Sequence, residues 1–198
     1  IILKFPRILS YSLAKIKHVT GFLRYELELN PRQVKRIIFQ APQVMGLDTE
    51  GNLKEKLDVL RYRLDLTAEK LGLVLSKMPT LLCLGVKSNL LPKLEYLEDA
   101  LLDSSQPSDK LLRQTILKQP TLLGYSLQGR IQPRMERLIA AGISPHKITV
   151  GISMSENSFQ EWLSSSQSRN MSHTRVVEQN AMALETILKE LNISEDET

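Results

Sequence analysis

The chain has 198 residues, 42% of them apolar, with 26 Lys/Arg against 22 Asp/Glu and a net charge of +4. That length bounds one or two domains, and no run of about 18 apolar residues is present to span a bilayer. The single cysteine, Cys83, excludes an intrachain disulfide and suits a reducing compartment.

Charge is uneven along the chain. Residues 1–144 hold 22 Lys/Arg and 14 Asp/Glu, giving +8, whereas residues 145–198 hold 4 and 8, giving −4. A basic body with an acidic end points to a polyanionic partner for the body. The first residue is Ile1 rather than Met, as expected of a processed or truncated form whose targeting peptide lies out of view.

In chain order, the first recurring signal is a proline followed by a short apolar phrase: Pro6-Arg7-Ile8-Leu9, Pro42-Gln43-Val44-Met45, Pro79-Thr80-Leu81-Leu82 and Pro120-Thr121-Leu122-Leu123. The intervals are 36, 37 and 41 residues, a period that marks stacked helical repeats. Such arrays bury one face of each unit against the next and offer a concave surface to a partner.

Each interval resolves into two helices. The first starts behind Asn30-Pro31, Thr67, Ser108 or Ser144-Pro145, whose side-chain oxygens can accept from first-turn amides. Apolar residues then recur 8, 5 and 4 positions before the signature proline, as Val34, Ile37 and Ile38 or Leu71, Val74 and Leu75. The proline ends this helix by pushing the preceding residue out of the α region. The residues after it are too few for a full helix and read as a 3₁₀ turn with its Leu side chains in the stack. A second helix follows, with Asn52 and Asn89 read as its caps and Pro92 and Pro133 in its first turn. Its stripe runs Leu53, Leu57, Leu60; Leu90, Leu94, Leu97; and Ile131, Met135, Leu138, and Gly142 closes the last copy.

Residues 103–107 read as a polar insertion that lengthens the third interval. After Ser144 the pattern decays, and Trp162 offers the apolar surface of a terminal capping unit. The expected organisation is a repeat array over 1–163, a Ser-rich linker over 164–173, and a C-terminal helix with an acidic tail over 174–198. Val176, Val177, Ala181, Leu184, Ile187, Leu188 and Leu191 give that helix an apolar stripe, which needs a cover.

The phrase Pro-x-Leu-Leu, then Asn-Leu-x-x-Lys-Leu-x-x-Leu, then a Leu/Ile-rich run into a Ser or Thr cap, resembles the mitochondrial transcription termination factor (mTERF) family over roughly residues 1–163. The resemblance implies an all-α helical-repeat solenoid, a superhelix of α, 3₁₀ and α elements. It also implies a non-catalytic protein of mitochondria or chloroplasts that binds double-stranded DNA or structured RNA and regulates transcription, RNA processing or ribosome assembly. The rival expectation is an interaction scaffold or accessory subunit that captures a protein partner through the C-terminal helix.

One polar position recurs in register. The residue 14 after the signature proline is Lys56, Lys93 or Arg134, and in the shorter first copy Lys15 or Lys17 is expected to take the role. A repeat-spaced row of cations suits a phosphate backbone. Arg61, Arg63, Arg130 and Arg137 extend the expected track, and Lys35 and Arg36 lie nearby. Residues 1–47 are richest in cations, with 8 Lys/Arg against 2 Asp/Glu. Tyr11 and Tyr125 share one repeat position and are expected in the core. Cys83 shares a small-residue slot with Ser10, Gly46 and Gly124 and is expected to be buried. His18, His146 and His173 lack metal-ligand spacing, no nucleotide fingerprint or nucleophile motif appears, and no cofactor is implied.

Overall fold

A computed structural model describes residues 5–101 and 108–193; the expected insertion at 103–107 and the acidic end at 194–198 lie outside the described residues. The described elements are helical, giving an all-α repeat fold. Contacts divide the chain into two compact units, residues 1–133 and 134–198.

In the first unit each signature proline opens a 3₁₀ turn: Pro6–Ser10, Pro42–Gly46, Pro79–Cys83 and Pro120–Gly124. The residue before it leaves the α region, with φ near −131° at Ala41 and −135° at Met78 and Gln119, because the proline ring disfavours that region. The two apolar side chains that follow, such as Leu81 and Leu82 or Leu122 and Leu123, are fully buried. Helices α2 (Pro31–Gln40), α4 (Ala68–Lys77) and α6 (Ser108–Lys118) lead into these turns. Asn30 and Gln33 form a reciprocal capping box at the start of α2, and Thr67 accepts from the Lys70 amide at 3.3 Å. The expected caps at Ser108 and Ser144 stand differently. The Ser108 side chain lies outside the described residues, and Ser144 makes no side-chain cap bond.

The helices after the turns are α1 (Leu13–Glu26), α3 (Lys54–Leu64), α5 (Leu91–Ala100) and α7 (Gln132–Ala140). Asn52 and Asn89 are not their caps. A π turn precedes α3, α5 and α7, at Thr49–Leu53, Val86–Leu90 and Leu127–Ile131. Capping falls to the sixth residue after the proline: Ser12, Asp48 and Ser126 accept from the amide three residues on at 3.1, 2.5 and 3.1 Å. The first copy has no π turn, which accounts for its interval being one residue shorter than the second. Left-handed residues end α1 and α3, Glu28 at φ 51° and Asp65 at φ 44°. There the amides of Leu29 and Leu66 bond back to the Arg24 and Arg61 carbonyls at 3.1 and 3.0 Å.

The small-residue slot at the end of each 3₁₀ turn is exposed, Cys83 included, so the expected burial of this cysteine is corrected. Its size is limited from one side only. A Cβ at Gly46 would collide with the Tyr11 hydroxyl, and one at Gly124 with the Met78 methyl. Tyr11 and Tyr125 are half-buried rather than core residues: the Tyr11 hydroxyl lies over Gly46 of the next turn, and Arg130 stacks on the Tyr125 ring.

In the second unit, α7 leads to a 3₁₀ turn at Pro145–Lys147, α8 (Ile148–Gly151) and α9 (Glu156–Ile193). Gly142 ends α7 with φ 65°, as its position suggests. Phe159 is fully buried beside the half-buried Trp162, and a Cβ at Gly151 would press into the Phe159 ring. The linker expected over 164–173 is a correction: this stretch is part of α9. It holds no Gly or Pro to break a helix, and the hydroxyls of Ser165 and Ser168 bond to the carbonyls of Glu161 and Ser164 at 2.9 and 3.0 Å.

Candidate nucleic-acid interface

The in-register cations do not form an exposed row. Lys56, Lys93 and Arg134 are 2%, 4% and 3% exposed. The carbonyls at the end of a 3₁₀ turn lack helical donors, and when buried they need one from elsewhere. Lys56 Nζ donates to the Leu82 carbonyl of the following turn, and Lys93 Nζ donates to that of Leu123 at 2.8 Å. Each also donates to the asparagine one turn back on its own helix, Asn52 at 3.2 Å and Asn89 at 2.6 Å. These asparagines are therefore acceptors for buried ammonium groups rather than helix caps. Burial pushes both lysine pKa values below 10.5.

Arg134 does the same work within the second unit. It donates to the carbonyls of Gly151 and Ile152, pairs with Glu156 at 3.2 Å, and lies 4.6 Å from the centre of the Phe159 ring. Hydrogen bonds from Arg137 and then Arg134 hold the Glu156 carboxyl below its ordinary pKa. Phosphate contact by Lys56, Lys93 and Arg134 is thus corrected: each is a staple between one helix and the turn that follows it. The sequence signal for this role was the Asn-x-x-x-Lys pairing in two copies.

In the first copy the missing π turn shifts the register. Val19 stands eight residues before Leu27 as Lys56 stands eight before Leu64, and Val19 is buried. Neither Lys15 nor Lys17 takes the staple's place. Lys15 is half-buried over the Tyr11 ring at 5.7 Å, and Lys17 is exposed. His18 Nε2 instead shares a 2.8 Å hydrogen bond with the Thr49 hydroxyl.

The other nominated arginines have partners at home. Arg61 donates to the Glu26 carbonyl at 2.7 Å, and its guanidinium lies 3.9 Å from the Glu26 carboxylate. Arg63 pairs with Glu98 at 2.5 Å and Arg137 with Glu156. Arg130 stacks on the Tyr125 ring at 4.6 Å.

Other cations are exposed, Arg36 of the expected ones among them. Arg7, Arg24, Arg32, Arg36 and Lys54 are exposed, with no side-chain partner among the described residues; Lys17 joins them. Arg32 and Arg36 lie one turn apart on α2, on the side away from buried Val34 and Ile37. The signal was there in the charge of residues 1–47 and in Arg36, but not for Arg7, Arg24, Arg32 or Lys54.

Among the described residues no group of three or more His, Cys, Asp or Glu is placed to hold a metal, and no helix is long and apolar enough to cross a membrane. A family model described as mTERF matches residues 1–169. No individual curated protein matches the chain significantly.

Proposed function

The chain belongs to the mTERF family, and from that premise we propose that it regulates organellar gene expression by binding the phosphates of DNA or structured RNA through the exposed cations of α1 and α2. The family carries organellar nucleic-acid binding as its general activity and is non-catalytic in general. The observation that supports this interface is the concentration of exposed, unpartnered Arg7, Lys17, Arg24, Arg32 and Arg36 in the first 47 residues. Unpartnered surface cations can release condensed counterions when they meet a polyanion, whereas the buried staples cannot reach one without unfolding the stack. Arg61, Arg63, Arg130 and Arg137 are half-exposed and would join only by exchanging their present partners.

The test is binding of random duplex DNA, duplex RNA and single-stranded RNA across a salt series. An Arg32→Ala, Arg36→Ala variant should weaken binding about equally for all sequences and flatten the log–log salt slope by roughly two units. An unchanged slope, or wild-type binding that ignores salt, rejects the interface.

A second reading, a protein-interaction scaffold, is favoured by exposed apolar residues on α9: Met182 at 71%, Leu184 at 59% and Ile187 at 51%.

A further inference from the structure

We propose that a nucleic-acid duplex lies across the solvent-facing sides of α2, α4 and α6, held by Arg32, Arg36, Lys77, Lys110 and Lys118. This deepens the nucleic-acid reading and rests on it: the contact runs on from α2 over α4 and α6 and avoids α3 and α5.

The signature proline sets the register. Ten, six and two residues before it stand Arg32, Arg36 and Gln40 on α2, Glu69, Leu73 and Lys77 on α4, and Lys110, Gln114 and Lys118 on α6. Steps of four residues keep these positions on one side of each helix. The residues eight, five and four before the proline take the other side, and on α4 and α6 all of them are buried. All nine stripe residues are exposed. α4 packs against α2 and against the 3₁₀ turn that follows α6, and its stripe is open to solvent all the same. Exposure at these positions therefore belongs to the repeat and not to an end of the stack.

Charge separates the two sets of helices. Five of the nine stripe residues are Lys or Arg, and Glu69 alone is acidic. None of the five cations has a side-chain partner among the described residues. On α3 and α5 the exposed charged residues are Lys54 against Glu55, Asp58, Glu95 and Asp99. The cations of these two helices that recur in register, Lys56 and Lys93, are buried staples. A phosphate backbone is drawn to the first surface and repelled by the second.

The stripe suits a duplex better than a single strand. Single-strand sites stack unpaired bases on aromatic side chains, and none of the nine positions holds one. Lys110 and Lys118 stand eight residues apart on α6, which is about 12 Å along the axis. Packed helices lie about 8–10 Å apart, so three of them spread the cations over about 20 Å. A patch of that size spans the two phosphate strands that flank a groove about 6–12 Å wide, where a lone strand would meet one line of it. Lys77 and Lys118 also close the last turns of α4 and α6, where a cation favours the helix dipole. That role acts on stability and leaves the salt dependence of binding alone, so the two are separable.

The experiment is anisotropy titration of the full chain with duplex DNA, duplex RNA and single-stranded RNA across a salt series, alongside thermal unfolding of each variant. Lys77→Ala with Lys118→Ala removes two stripe cations that lie far from the first 47 residues. It should weaken duplex binding and flatten the log–log salt slope by roughly two units. Lys54→Ala removes an exposed cation of α3 and should leave the slope unchanged. The duplex that binds more tightly, DNA or RNA, identifies the natural polymer. If Arg32→Ala with Arg36→Ala flattens the slope and Lys77→Ala with Lys118→Ala only lowers the unfolding midpoint, the stripe is refuted and the nucleic-acid reading stands. If neither pair changes the slope, both fall. A slope flattened by Lys54→Ala overturns the choice of face, and single-stranded RNA bound more tightly than either duplex overturns the choice of polymer.

Discussion

Replacing Lys93 by methionine separates a staple from a phosphate contact. Methionine keeps most of the stem's length and apolar packing and removes the ammonium. The change deletes the 2.8 Å bond to the Leu123 carbonyl and the 2.6 Å bond to Asn89. Asn89 is half-exposed and can turn to water, but Leu123 is fully buried, so its carbonyl loses a donor it cannot replace cheaply. A buried carbonyl left unpaired costs about 1–3 kcal/mol. Part of this is offset because the variant no longer holds a charge away from water, the penalty that lowers the Lys93 pKa. The expected net loss is about 1–2 kcal/mol, which for a chain of this size is a fall of about 2–8 °C in the unfolding midpoint. Urea and thermal unfolding, followed by circular dichroism, measure it. Nucleic-acid binding of the folded variant, measured by anisotropy at low temperature, should keep the wild-type salt slope. Unchanged stability together with a slope flatter by roughly one unit would refute the staple and restore the charged track.

Two further outcomes follow from the same geometry. Because burial lowers the folded-state pKa of Lys56 and Lys93, the unfolded chain binds more protons in the window between those values and 10.5. Their contribution to stability therefore rises with pH through that window and is least favourable below it. The stability of wild type minus that of Lys93→Met should accordingly grow as pH rises toward 10.5; a difference that is flat or falls with pH contradicts the assignment. Separately, Glu28 holds φ 51° without a side-chain partner among the described residues. Glu28→Gly should stabilise the protein by about 0.5–1 kcal/mol, because relief of left-handed strain exceeds glycine's added chain entropy. Loss of stability in urea titration would show that the αL cap at the end of α1 carries no strain to relieve.

What the sequence determined by itself is what short-range chemistry decides. The proline period, the non-helical residue before each proline, the 3₁₀ turns, the Asn30 and Thr67 caps and the Leu/Ile stripes depend on neighbours within a few positions, and all were legible. Gly142 could be placed at a helix end for the same reason. Tertiary structure decided the rest, because burial belongs to the surroundings rather than to the residue. Lys56 and Lys93 recur in register either as a surface track or as staples; only the turn facing them, 26 and 30 residues further along the chain, settles which. The π turns add one residue to a helix without altering its apolar pattern enough to be seen, and they move the cap from Asn52 to Asp48. Residues 164–173 look like a linker by composition, yet nothing in them breaks the backbone bonding that carries α9 through. Arg32 stands out only once the partnered arginines are known, since an unpaired charge is defined by what its neighbours fail to supply.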